Sequence, residues 1–131
     1  MIAKLGLDGH ERGARMVVRS LQDEGFKVKY SGIRQSPEEI AELVRANEAD
    51  ILGISILSGA HNALIPKVID AMHHQNLNDV PIIVGGIIPD EDHYLLLESG
   101  VAAVFGPGAK MRDVIEMVKT LLNARRKHPK R

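Results

Sequence analysis

Short apolar runs alternate with amphipathic stretches along the whole chain. The runs MIAKL, FKVKYSG, DILGISIL, VPIIVGG and VAAVFG are predicted to be strands. DILGISIL is apolar on both faces, which is typical of a central strand in a parallel sheet. Each run is followed by apolar residues at helical spacing, so the order is βαβαβαβαβα. This order predicts an α/β fold with helices on both faces of a five-stranded parallel sheet. The length of the chain favours the flavodoxin-like, doubly wound strand order 2-1-3-4-5. Such a domain is Rossmann-like.

Capping signals predict where the helices begin and end. In SPEEIAELVRA, Ser36 is the expected N-cap, Pro37 the first helical residue and Glu39 the partner in a capping box. Gly25 and Gly100 are expected to stop the first and fourth helices. Pro66 fits the third helix, NALIPKVIDAMHHQ, only if it lies in the first turn. The last helix is predicted to bury one stripe, comprising Met111, Val114, Ile115, Val118, Leu121 and Leu122.

Composition narrows the class of protein. The 131 residues suit one domain, which we place at residues 1–126, followed by a solvated basic tail at 127–131. Lys+Arg and Asp+Glu both number 17, so bulk charge does not favour a nucleic-acid partner. The chain has no cysteine, which excludes thiolate metal sites and suits a cytoplasmic protein. No apolar run is long enough to span a membrane, so no membrane partner is expected.

Ligands of such sheets bind at the carboxyl ends of the strands, near the switch point between β1 and β3. The loops expected there are GLDGHERG, SILSGAH, GGIIPD and FGPGAK, which are rich in small residues. Small residues let a large ligand lie against the backbone. His10 is the one metal-capable side chain expected at the centre of this groove, while His73 and His74 are expected on the surface.

Other doubly wound classes fit these loops less well. The chain lacks the G-x-G-x-x-G spacing of dinucleotide folds and the G-K-[ST] of a phosphate loop. A response-regulator receiver would need an Asp where Ser55 ends the third strand. A zinc enzyme would need more ligands than His10 and Asp8, with His61 the nearest other histidine. By residue type alone, Asp8 could cap the first helix and Arg12 could be a solvated first-turn residue.

Three pieces of the sequence together resemble the D-x-H-x-x-G…S-x-L…G-G signature of cobalamin-binding domains. They are DGHERG at 8–13, SIL at 55–57 and GG at 85–86. The stretches KLGLDGHERG, HNALIP, GGIIP and FGPG look like the C-terminal domain, or separate small subunit, of methylmalonyl-CoA mutase and related acyl-CoA mutases. The resemblance covers nearly the whole chain.

The resemblance implies base-off, His-on binding of adenosylcobalamin, with His10 as the axial ligand of cobalt. Asp8 would accept the other imidazole N–H and Lys4 would pair with Asp8, which fixes the tautomer of the ligand. No catalytic residue is implied on this chain beyond this relay. The implied cofactor-binding residues are Asp8, Gly9, His10, Arg12, Gly13, Gly53, Ser55, Leu57, Gly59, Gly85, Gly86, Phe105 and Gly106.

In function, the resemblance implies a small subunit that is inactive without a large (β/α)8-barrel subunit. That partner would bind the acyl-CoA, and the expected reaction is the radical rearrangement of (R)-methylmalonyl-CoA to succinyl-CoA. Two alternatives stay open. One is the small subunit of another mutase, acting on 2-hydroxyisobutyryl-CoA or isobutyryl-CoA. The other is a non-catalytic cobalamin carrier or sensor.

Overall fold

The computed structural model describes residues 2–6, 18–30, 36–56, 61–86, 90–106 and 110–127. Five parallel strands form one sheet in the order β2-β1-β3-β4-β5, which confirms the predicted topology. The strands are β1 (Ile2–Gly6), β2 (Val28–Tyr30), β3 (Ile51–Ile56), β4 (Ile82–Gly86) and β5 (Ala103–Phe105). The two longest apolar runs, β3 and β4, lie next to each other at the centre, where both of their faces are covered.

The strands are joined by crossover helices. Residues 18–23 are helical and are the described part of α1. The other helices are α2 (Pro37–Ala46), α3 (His61–His74), α4 (Asp90–Ser99) and α5 (Met111–Lys127). None of the described helices is long and apolar enough to cross a membrane.

Successive side chains of a strand point to opposite faces of the sheet, so the core is divided between the two faces. On one face, Leu52, Ile54, Ile82 and Val84 pack against α2, α3 and α4 through buried residues that include Ile40, Ile65 and Leu96. On the opposite face, Ile51, Ile83 and Ala103 pack against Leu21 of α1 and Val118 of α5. Among the described residues, the buried members of the second cluster that lie on strands belong to the amino-terminal part of each strand, and Phe105 packs against the cluster from the carboxyl end of β5.

The predicted helix ends are confirmed at three places. Ser36 Oγ accepts the Glu39 N–H at 3.2 Å, and the Ser36 N–H donates to Glu39 Oε1 at 3.0 Å, which completes the capping box. Gly25 and Gly100 have φ of 94° and 121°, the left-handed region in which a glycine ends a helix at little cost.

One detail of the predicted helices is wrong, and another is confirmed in part. Pro66 lies in the second turn of α3, because the helix begins at His61. Its missing N–H leaves the carbonyl of residue 62 without a helical partner, a loss of one hydrogen bond close to the helix start. In α5 only Val118 of the predicted stripe is fully buried. The other five residues of that stripe are half-buried, and Ile115, Leu121 and Leu122 among them pack against the second core cluster.

Candidate cobalamin site at the carboxyl edge of the sheet

One register row crosses four strands at the carboxyl edge of the sheet. Gly6 of β1 pairs with Ser55 of β3, Ser55 pairs with Gly85 of β4, and Gly85 pairs with Phe105 of β5. We call these four residues the edge row. Three segments that lie far apart in the sequence thus place small residues side by side, next to the β1/β3 switch point.

A second row lies two residues earlier and belongs to the same face. Lys4 pairs with Gly53, Gly53 with Ile83, and Ile83 with Ala103. Because Ile83 and Ala103 pack against α1 and α5, both rows face that helix layer. Gly53 and Gly85 therefore remove two side chains from the sheet face beneath α1 and α5.

Burial shows that these two glycines leave an opening. Ile51, Leu52 and Ile54 of β3 are 0 % exposed, and Val84 of β4 is also 0 % exposed. Gly53 and Gly85, within the same central strands, are only half-buried. The neighbouring side chains cover the opposite face, so the exposed surface of the glycines opens toward α1 and α5. We call this opening the glycine slot.

Nothing among the described residues requires a glycine at position 85. Its φ lies outside the left-handed region, and among the described residues an added β-carbon would meet only the Phe105 carbonyl oxygen, at 3.8 Å. That distance is an ordinary van der Waals contact. The space above Gly85 is therefore not filled by the described packing, and a ligand group that lies flat against the backbone fits it.

The other predicted residues of β4 and β5 lie around the glycine slot in different ways. Gly86 pairs with Ile56 and belongs to the opposite face, toward α2 and α3, because neighbouring residues of a strand alternate. Phe105 is half-buried and packs against the cluster of Ile83 and Val118, so it borders the slot on the β5 side. Gly106 follows directly and is also half-buried.

The remaining predicted site residues are described in part or not at all. For Lys4 and Ser55 the structure gives the backbone position, which puts both on the face of the glycine slot. Seven predicted residues lie outside the described residues: Asp8, Gly9, His10, Arg12, Gly13, Leu57 and Gly59. The relay from Lys4 through Asp8 to His10 therefore stays a prediction.

The described residues contain no group of three or more His, Cys, Asp or Glu that could hold a metal ion. His73 and His74 are exposed at the end of α3, as expected. A shallow pocket of about 240 Å³ lies between α2 and α3 and was not predicted from the sequence. Its lining includes Glu38, Lys67 and His74, on the helix layer away from the glycine slot.

The doubly wound parallel sheet and its slot at the switch point define a flavodoxin-like ligand-binding domain. The sequence then gives its family, because residues 1–116 match the model of the B12 binding domain. The chain belongs to this family, and the resemblance to cobalamin-binding domains is confirmed. The small residues at the slot fit this cofactor, since a bulky organic group needs backbone that side chains leave open.

The similarity of the chain to individual proteins supports this assignment. Methylmalonyl-CoA mutase from Rhizobium meliloti is 40% identical over 128 residues, which are 98% of this chain and 18% of that protein. The small subunit of 2-hydroxyisobutanoyl-CoA mutase from Aquincola tertiaricarbonis is 36% identical over 95% of this chain and 92% of that subunit. The chain thus spans less than a fifth of the first relative and nearly all of the second.

In structure, the chain is similar to a cobalamin-binding protein from Desulfitobacterium hafniense, with a TM-score of 0.78. The two share 20% sequence identity, and the match covers 92% of this chain and 58% of the other. At this identity the likeness supports the fold.

Proposed function

We propose that this chain is the cobalamin-binding small subunit of an adenosylcobalamin-dependent acyl-CoA mutase. The observation that carries the proposal is the match to a whole small subunit, 92% of whose length the chain covers. The glycine slot supports it, because it offers open backbone at the edge where a cofactor tail would enter. A separate large subunit with a (β/α)8 barrel would bind the acyl-CoA and cover that edge.

The residues of this chain would hold the cofactor and position it. His10 would supply an imidazole nitrogen to cobalt, and Asp8 would accept the second N–H of the ring and so fix its tautomer. Lys4, whose backbone lies on the face of the slot, would pair with Asp8. The displaced nucleotide tail would lie over Gly53 and Gly85, with Ser55 beside it. When bound, adenosylcobalamin supplies the radical chemistry of the rearrangement.

For the substrate, the first candidate is (R)-methylmalonyl-CoA, which would be converted to succinyl-CoA. It is supported by the 40% identity with a methylmalonyl-CoA mutase. The second candidate is 2-hydroxyisobutyryl-CoA, and the observation in its favour is the end-to-end match with the small subunit of that mutase. Because the acyl-CoA would lie in the partner, the large subunit decides between them. We also propose a cytoplasmic location, on the basis of the cysteine-free composition.

The test is reconstitution. The purified chain is mixed with adenosylcobalamin and the large mutase subunit encoded in the same genome, and each branched acyl-CoA is supplied in turn. Rearrangement in the mixture, and none with either chain alone, is expected. If the mixture binds cobalamin but rearranges no acyl-CoA, the chain is a carrier or sensor module and the mutase proposal is wrong.

A further inference from the structure

The register of the first three strands places a tyrosine beside Lys4. Tyr30, the last residue of β2, pairs with Lys4 of β1, and Lys4 pairs on its other side with Gly53 of β3. Neighbouring strands of a sheet lie about 4.8 Å apart, so these three residues stand side by side in one row. The sequence motifs did not single out Tyr30, because β2 carries none of the stretches that resemble cobalamin-binding domains.

Tyr30 belongs to the face of the sheet that carries the glycine slot. Val28, two residues earlier in β2, is half-buried and packs against the core cluster that contains Ile51. Residues two positions apart along a strand share a face of the sheet. Val28 and Ile51 also pair with Ile2 from either side, which repeats the arrangement one row nearer the amino edge. Tyr30 and Lys4 are therefore neighbours on one face.

The row that holds Lys4 is largely apolar, so its positive charge needs polar partners. Ile83 and Ala103 continue the row toward β5, and both are buried. An ammonium group next to such a surface is stable only when polar groups accept its protons. Gly53 has no side chain to offer. Within this row, Tyr30 is thus the neighbour of Lys4 that has a polar side chain.

The chemistry of the two residue types suits a pair. A lysine ammonium has three donors, and a tyrosine hydroxyl accepts as well as donates a hydrogen bond. In the proposed function one of the three donors of Lys4 is used by the Asp8 carboxylate. A lysine has a flexible four-carbon stem, so a single contact does not hold its ammonium group in one place. A second acceptor beside Lys4 would restrict that freedom.

We infer that Tyr30 is a positioning residue for the predicted relay that begins at Lys4 and ends at His10, an inference that rests on the proposed function. The Tyr30 hydroxyl oxygen would accept a hydrogen bond from the Lys4 ammonium group and hold it beside Asp8. Asp8 would in turn be kept in place to accept the imidazole N–H of His10, the bond that orients a ligating histidine. Tyr30 acts through Lys4 and does not itself contact cobalt.

Two other roles of Tyr30 would give different results on substitution. A residue that only packs against the sheet would act through its ring, and phenylalanine retains the ring. A residue that contacts the cofactor tail directly would act whether or not Lys4 and His10 are present. A positioning role requires the hydroxyl group, and it also requires both of those residues.

A double-mutant cycle on the full chain, with cobalamin binding followed by absorbance, distinguishes these roles. Tyr30→Phe should raise the Kd for cobalamin about fivefold, the scale of coupling within one hydrogen-bonded network. In a Lys4→Met background the same substitution should change Kd by less than about 1.5-fold, because the group that Tyr30 holds is gone. The effect should also disappear in a His10→Ala background, because Tyr30 acts only through the ligand.

Tyr94→Phe is the matched control for loss of a hydroxyl group. Tyr94 is the other tyrosine of the chain and is 65% exposed on α4, so its substitution should leave Kd unchanged. EPR of the Co(II) form with ¹⁵N-labelled histidine should still show one imidazole nitrogen in Tyr30→Phe, since the ligand itself is retained. A urea midpoint equal to that of the wild-type chain verifies that Tyr30→Phe is folded.

The outcomes separate this inference from the proposed function. If Tyr30→Phe binds cobalamin as tightly as the wild-type chain, the positioning role is wrong and the proposed function stands. If its effect persists in the Lys4→Met or the His10→Ala background, Tyr30 acts directly on the cofactor or on the fold, and the positioning role is again wrong. If the wild-type chain binds no cobalamin, the proposed function and this inference are both overturned.

Discussion

Gly85 lies beside Phe105 with room for a β-carbon: among the described residues, an added β-carbon would meet only the Phe105 carbonyl oxygen, at 3.8 Å. The glycine is therefore not explained by close packing of the two strands or by backbone conformation. Its place in the edge row, next to Ser55, gives it a different role. In the proposed function it keeps the sheet face open for the cofactor tail.

Substitutions at Gly85 should thus affect cobalamin binding and the free energy of unfolding differently. Gly85→Ala should change the free energy of unfolding by less than about 1 kcal/mol, since alanine fits the site and restricts the unfolded chain. Gly85→Leu should weaken cobalamin binding at least about tenfold, because the longer side chain fills the glycine slot. Urea denaturation and cobalamin titration by absorbance measure the two effects.

Gly100→Ala is the control for backbone strain. Gly100 has a φ of 121°, so alanine there should cost about 1 kcal/mol or more of stability and leave cobalamin binding unchanged. Equal cobalamin affinities for Gly85→Leu and the wild-type chain would contradict the role of the slot.

His10→Ala should remove the protein nitrogen from cobalt. The paramagnetic Co(II) form, bound to wild-type protein with ¹⁵N-labelled histidine, is expected to show coupling to one imidazole nitrogen in EPR. The variant should lose that coupling and bind cobalamin more weakly. His74→Ala, on the exposed end of α3, should keep it. A wild-type spectrum without histidine coupling would rule out the ligand assignment.

The sequence predicted the sheet well because its signals are local and repeated. Apolar runs gave the strands, and Ser36 with Glu39 gave the start of α2, since a capping box needs only residues three positions apart. The chain length favours the strand order 2-1-3-4-5 among doubly wound sheets. The positions of Gly53, Ser55 and Gly85 at one edge follow from that order.

The sequence did not predict features that depend on packing between distant parts of the chain. Where α3 begins, and hence the turn that holds Pro66, depends on the connection after β3. The half-burial of Leu121 and Leu122 depends on how far α5 extends over the sheet, which periodicity does not reveal. The exposure of Tyr94, Leu95 and Leu97 was equally hidden, because the run YLLL in an otherwise polar helix does not show which of its residues the core covers.

Because the two helix layers are buried to different extents, replacing a leucine by alanine should lower the free energy of unfolding by different amounts in the two layers. Leu52 is 0% exposed in the core against α2 and α3, and Leu52→Ala should cost about 3 kcal/mol, because it leaves a cavity in close-packed surroundings. Leu121 is half-buried on α5, and Leu121→Ala should cost about 1 kcal/mol. Urea denaturation of the two variants compares the same chemical change in both layers. Equal costs would show that the half-buried stripe of α5 packs as tightly as the opposite core.

Glu39 should make stability depend on pH. Its carboxylate accepts the Ser36 N–H, and this hydrogen bond, with a further one from the Ser36 side chain, holds the pKa of Glu39 below its ordinary value of 4.5. A carboxyl whose pKa is lower in the folded than in the unfolded state stabilises the fold fully above the unfolded value. That contribution is lost as the pH falls through the folded pKa.

The stability difference between the wild-type chain and Glu39→Gln should therefore be largest near about pH 7 and shrink below about pH 4. Urea denaturation at a series of pH values measures it. Glu38→Gln is the matched control, because it removes a charge from the same helical turn and leaves the hydrogen bonds between Ser36 and Glu39 in place. If both variants lose the same stability at every pH, helix charge accounts for the effect and the capping box does not. A difference confined to Glu39→Gln, fading in acid, is the result expected if a charged carboxylate accepts the Ser36 N–H more strongly than a neutral amide oxygen does.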